Sequence, residues 1–182
     1  AALDALQEDQ WERAANAILT TDTRPKLRSV EVELGGQTCR VTGMAKGAGM
    51  ICPDMATMLA FVATDARLSP ALLQATLRDA VAAIFNRITV DGDTSTNDAV
   101  TLSSTGGSGI EVKAGTPRAE QFAAAVTGLM IELAQDIVRD GEGASKFVEI
   151  RVSGGESTEA CDQVGRTIAH SPLVKTALFA SD

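Results

Sequence analysis

Apolar and polar positions alternate along this chain in patterns that mark its elements. "SVEVELGGQTCRVTG" (residues 29–43) alternates on both sides of a Gly-Gly pair. That is the pattern of a β-hairpin whose turn needs positive φ, and it predicts strands over 29–34 and 38–42 with Gly35 and Gly36 between them. "TMLAFVAT" (57–64) is apolar on both faces, as a strand covered on both sides should be. Ser69 followed by Pro70 reads as a helix start, a capping hydroxyl and then a proline suited to the first turn. The helix predicted over 70–88 places Leu72, Leu73, Leu77, Val81 and Ile84 at helical spacing. "AVTLSST" (99–105) is strand-like, Pro117 opens a long helix to Asp140, and "KFVEIRVSG" (146–154) alternates as a strand. A helix over 157–170 and a packed element in "SPLVKTALFA" follow, while "AALDALQEDQWERAANAIL" predicts an amphipathic helix at the start.

This order predicts a mixed α/β fold, sheets layered with helices. No internal repeat or dividing linker is visible, so residues 1–182 are expected to form one domain or a fragment of one. Composition narrows the function. Hydrophobic residues make up 45%, but aromatics only 3%, so the core must come from Ala, Val, Leu, Ile and Met. A net charge of −8 with no basic run argues against nucleic acid. Uninterrupted apolar runs fall short of the roughly 20 residues a membrane span needs, and no leader pattern opens the chain. Cys39, Cys52 and Cys161 form no CxxC, which predicts buried, inert thiols and a reducing, cytoplasmic setting. With His170 the sole histidine, most metal sites and imidazole triads are removed; it is expected to cap or pack.

Three stretches invite chemistry. In "DGDTSTND" (91–98), Asp91, Asp93, Ser95 and Asn97 alternate as in a calcium loop, but Thr96 and Leu102 stand where that loop needs Gly and Glu. Asx-turn geometry is the better expectation. "STGGSG" (104–109) lacks the Lys of a phosphate loop. Thr57 is different: it heads an apolar run just after Pro53-Asp54, preceded by glycines at 43, 47 and 49. A threonine can be activated without histidine if it lies at a chain terminus, where its own α-amine is the base. Reaching that state requires scission of the Ala56–Thr57 bond, and a small residue such as Ala56 lets the hydroxyl approach the carbonyl. Lys46 could then face a developing oxyanion or a substrate carboxylate. From pattern alone, Thr57 is equally a β-branched residue opening a buried strand.

"GMAKGAGMICPDMATMLAFVATDA" resembles the self-processing segment of the ornithine acetyltransferase (glutamate N-acetyltransferase) family. "AILTTDTRPK", "FNRITVDGDTSTNDAV", "DGEGASKFVEI" and "IAHSPLVKTALFASD" agree in order and spacing, so the resemblance covers nearly the whole chain. It implies a self-processing Thr-nucleophile fold, related to self-processing aminopeptidases. It further implies scission between Ala56 and Thr57, with Thr57 as nucleophile and Lys46, Thr57 and Glu142 binding substrate. The implied reaction moves an acetyl group from N-acetylornithine to glutamate through acetyl-Thr57, in arginine biosynthesis. No cofactor and no metal are implied; acetyl-CoA serves some members as acetyl donor. The implied assembly is two light and two heavy chains, in the cytoplasm, without nucleic acid or membrane.

The resemblance is to the middle of the family's proteins. Their oxyanion-hole Thr-Gly pair lies upstream of Ala1, and further substrate contacts lie beyond this sequence, so 1–182 alone is expected to be inactive. Asp54 and His170 stand where the family commonly has Asn, and Ala180-Ser181 where it has Gly. These departures leave three alternatives open: a related amidase or aminopeptidase, a paralogue using another acyl donor or acceptor in secondary metabolism, and a non-catalytic relative.

Overall fold

The computed structural model describes residues 4, 6–52, 58–93 and 98–181. The hairpin forms as the alternation predicts, with longer strands: β1 (Lys26–Glu33) pairs antiparallel with β2 (Thr38–Lys46). Leu34 donates its N–H to Gln37 O at 2.8 Å, and Gly35 and Gly36 take φ of 63° and 79° in the two-residue turn. β2 pairs antiparallel with β3 (Leu59–Thr64), which pairs in parallel with β5 (Ala99–Ser104), giving the sheet order β1-β2-β3-β5. Two short strands, β4 (Arg67–Leu68) and β6 (Glu111–Val112), make a separate parallel pair.

Helix α3 (Pro117–Arg139) packs on β1 and β2, and α2 (Pro70–Ala83) packs on β5 and against α3. Both starts arise from the sequence. The Ser69 hydroxyl accepts from Leu72 N and the Thr116 hydroxyl from Ala119 N, each one residue before a proline. Phe122, Val126, Met130, Leu133 and Ile137 form the apolar stripe of α3 and are fully buried. Each contributes about 1.5–3 kcal/mol by leaving water. Among the described residues α3 is also the one helix long and apolar enough to cross a membrane, but here that stripe meets the sheet. The approach is close at Gly43 in β2, where a Cβ would stand 2.8 Å from Leu129 Cδ2.

Three expectations are corrected. The first helix, α1, spans only Trp11–Ala17 and buries only Ala15, too little apolar contact to hold the longer helix predicted over 1–19. The helix predicted over 70–88 stops at Ala83. Ile84 leaves helical geometry at φ −125°, ψ −74°, and a 3₁₀ turn over Phe85–Arg87 carries Phe85 into full burial. Residues 146–154 join no sheet among the described residues. Their alternation is real, but no neighbouring strand offers a ladder, and Phe147 and Val148 stay 39% and 41% exposed. The segment lies beside α4 (Thr158–His170) and α5 (Pro172–Ala180), both near their predicted places.

Candidate active site

β2 ends on Lys46, whose backbone lies in register with Leu59 on β3. The strand carrying the candidate lysine therefore runs beside the strand that begins two residues after Thr57. Ala56 and Thr57 themselves lie outside the described residues, as does Asp54. Lys46 is 7% exposed, and its Nζ stands 3.4 Å from Thr20 Oγ1. Its positive charge also reaches Asp98, at the start of β5.

The segment after Lys46 is fixed by charge. Gly47 donates its N–H to Asp22 Oδ1 at 2.7 Å. Asp22 also accepts from Lys26 Nζ at 2.5 Å, and Lys26 reaches Asp140 Oδ2 at 2.6 Å. Asp140 further accepts from the N–H of Thr23 at 3.0 Å and from its hydroxyl. Lys26 is fully buried, so its ammonium is tolerable only because two carboxylates meet it. Burial alone would raise both carboxyls. At Asp22 the Lys26 ammonium and the N–H groups of Gly47 and Thr20 hold the pKa below the usual range. At Asp140 Lys26 and Thr23 do the same.

Asp140 ends α3, and the turn after it carries Glu142. Glu142 N donates to Ala48 O at 2.6 Å, tying this turn to the stretch beyond Lys46. Its exposed carboxylate rests over Gly49, where a Cβ would meet Glu142 Cδ at 2.9 Å and both carboxylate oxygens at 3.0 Å. Glycine at 49 is thus what lets the carboxylate sit there. Lys46 and Glu142, 96 positions apart in the sequence, attach to the two ends of one four-residue stretch, 46–49. Fixed charges of opposite sign beside one stretch suit a ligand carrying both a carboxylate and an ammonium.

The loop read against a calcium pattern has another use. Asp91 accepts from the N–H groups of Met50 at 2.5 Å, Ile51 at 3.0 Å and Asp93 at 3.0 Å, the last being an Asx turn. These donors hold its carboxyl below the usual range against the upward push of burial. Asp98 accepts from Met58 N at 2.7 Å; burial pushes its carboxyl up, and the Met58 N–H and Lys46 only partly offset that. Thr94–Asn97 lie outside the described residues. Among the described residues no group of three or more His, Cys, Asp and Glu side chains is arranged to hold a metal.

His170 packs, as expected, with unforeseen partners. Its Nε2 stands 3.5 Å from Cys52 Sγ and 3.2 Å from Thr89 Oγ1. All three cysteines are free; Cys39 and Cys52 are buried, while Cys161 is partly exposed rather than buried. A cavity of about 280 Å³ borders Met58 and Asp98, walled by Ile51, Leu77 and Phe85 among others. A larger one, about 1130 Å³, runs between residues 142–152 and the last two helices; Glu142 is in its wall and Lys46 is not.

Asp22, Lys26, Asp91 and Asp98 did not emerge as site residues from the sequence. The signal for the first two lay in "TTDTRPK", where a lysine comes four positions after an aspartate, but nothing local says the pair is buried.

The ArgJ family profile matches residues 1–182. The arginine biosynthesis bifunctional protein ArgJ of Methylococcus capsulatus is 57% identical over 182 residues, all of this chain and 45% of that protein. Its namesake in Pseudomonas fluorescens is 52% identical over 185 residues, again all of this chain and 45% of the relative. The crystal structure of the ArgJ protein of Bacillus halodurans superposes with a TM-score of 0.66 at 41% identity, covering 69% of this chain and 60% of that one. The mixed α/β arrangement is therefore the fold of that protein. The chain spans less than half the length of the curated relatives it matches.

Proposed function

This chain belongs to the ArgJ family, and on that premise we propose that it is the central part of an acetyltransferase of arginine biosynthesis that cuts itself between Ala56 and Thr57. In the first reaction the Thr57 hydroxyl attacks the Ala56 carbonyl. The C–N bond breaks, the nitrogen takes the proton, and an ester links Ala56 to the Thr57 oxygen. Water then hydrolyses that ester, leaving a carboxylate on Ala56 and a free α-amine and hydroxyl on Thr57. An α-amine has a pKa of about 7.7–8.0, suited to a general base at neutral pH.

In the second reaction this amine takes the hydroxyl proton as the oxygen bonds to the acetyl carbon of N-acetylornithine. The acetyl C–N bond breaks, and the protonated amine returns its proton to the departing ornithine nitrogen. The amine of glutamate attacks the acetyl-Thr57 ester, the C–O bond breaks, and N-acetylglutamate leaves. Acetyl-CoA, where used, enters as an alternative donor substrate. Lys46 and Glu142 supply the charges that the two ends of an amino acid require.

The observation that carries this reading is the pairing of Lys46 with Leu59, with Glu142 bound to the chain just after Lys46. The candidate binding charges thus gather at the end of β2, beside the strand that Thr57 precedes. Light and heavy pieces stay associated, two of each, in the cytoplasm. The rest of the protein is needed as well. Val164, Ile168, Leu173 and Phe179 are exposed on the last two helices, and the relatives are more than twice as long as this chain.

The test is acetyl transfer by the full-length protein. Parallel double-reciprocal lines for N-acetylornithine and glutamate are expected, and Thr57→Ala should abolish both scission and transfer. Release of acetate at an unchanged rate without glutamate would contradict the assignment.

A further inference from the structure

The polar loop "DGDTSTND" is set aside by the reaction above, yet its two ends grip the chain on either side of Ala56 and Thr57. Upstream, Asp91 accepts from the N–H groups of Met50 and Ile51. The carbonyl of Ile51 in turn accepts from Val90 N at 2.8 Å and from Thr89 Oγ1 at 3.0 Å. Downstream, Asp98 accepts from Met58 N at 2.7 Å, and Met58 O accepts from Ala99 N at 3.1 Å. Residues 51 and 58 are thus held by residues 91 and 98, and the two stretches are equal in length. Met50, at the upstream anchor, takes a left-handed φ of 53°, a conformation uncommon without glycine and sustained here by the Asp91 contact.

We propose that Asp98 is a positioning residue for scission: it fixes the amide that joins Thr57 to Met58, while Asp91 fixes the amides upstream, so that one loop sets both flanks of the bond to be cut. The inference rests on the self-cleavage reading above and deepens it. An internal hydroxyl adds to its neighbouring carbonyl only from a restricted backbone geometry, and small misplacements cost large factors in rate. A carboxylate accepting a backbone N–H is a strong, directional restraint. Two such restraints at the ends of one segment limit its freedom far more than either alone. Asp98 stands near Lys46 but contacts neither the Ala56 carbonyl nor the Thr57 hydroxyl in this role, so it acts through Met58.

The experiment tracks scission of the full-length protein over time by denaturing electrophoresis and intact mass. Asp98→Ala should slow it by about ten- to a hundredfold, the loss expected for a charge-assisted hydrogen bond. Asp98→Asn, which keeps an acceptor oxygen, should be slowed less. Because burial disfavours the charged form of Asp98, the Asn variant should melt no lower than the parent protein. Asp93→Asn, in the same loop, should cleave at the parent rate. Parent-like scission in both Asp98 variants overturns this inference and leaves the self-cleavage reading intact. Slowing that merely tracks a lowered melting temperature in both also overturns it. A parent protein that never cleaves overturns the proposed function, and this inference with it.

Discussion

A lysine ammonium withdrawn from water must be met by negative charge, and Lys26 is met by Asp22 and Asp140. Removing it as Lys26→Met leaves two buried carboxylates facing each other, which should destabilise the fold by about 3–5 kcal/mol in urea unfolding. The pH dependence is set by the carboxyls. Both have folded pKa values below their unfolded ones, so their stabilisation is complete above the unfolded value of about 3.9 and is lost as pH falls through the lowered folded values. Urea midpoints measured from pH 6 downward should hold until about pH 4 and then fall, and Asp140→Asn should lessen that fall. Gly49 gives a functional counterpart. A methyl there would collide with the Glu142 carboxylate, so Gly49→Ala should raise KM for the amino-acid substrates with little effect on the melting temperature.

Among the elements, the close contact between α3 and β2 is the most demanding. Gly43→Ala would place a methyl 2.8 Å from Leu129 and 3.1 Å from Val62, and should cost about 1–3 kcal/mol through overpacking. Thermal unfolding of that variant measures it. The hairpin and the starts of α2 and α3 were legible because their signals are local: Gly35-Gly36, Ser69-Pro70 and Thr116-Pro117 each act within a few residues. The end of α2 was not, because burial of Phe85 by distant neighbours decides where the helix gives way. Residues 146–154 show the opposite case: a strand pattern persists without a strand, since alternation states what a segment could pair with and not whether a partner is present. The site divides the same way. Lys46, Thr57 and Glu142 came through resemblance, whereas the roles of Asp22 and Asp98 depend on contacts made across 25 and 40 positions of chain.

For the whole molecule, the arrangement joins three distant stretches at one end of the sheet. The 20–26 segment anchors Gly47, the turn after α3 anchors Ala48, and the 91–98 loop anchors both sides of the proposed scission point. Since this chain spans less than half of its relatives, residues 1–182 expressed alone should show no acetyl transfer, and adding the remaining family sequence should restore it. The central claim is that Thr57 becomes a nucleophile by being set free at a chain terminus. Its most direct test is N-terminal sequencing together with intact mass of the active full-length enzyme. The account requires two polypeptides, one ending at Ala56 and the other beginning with Thr57. A fully active enzyme whose chain runs uncut through residues 56 and 57 would contradict it.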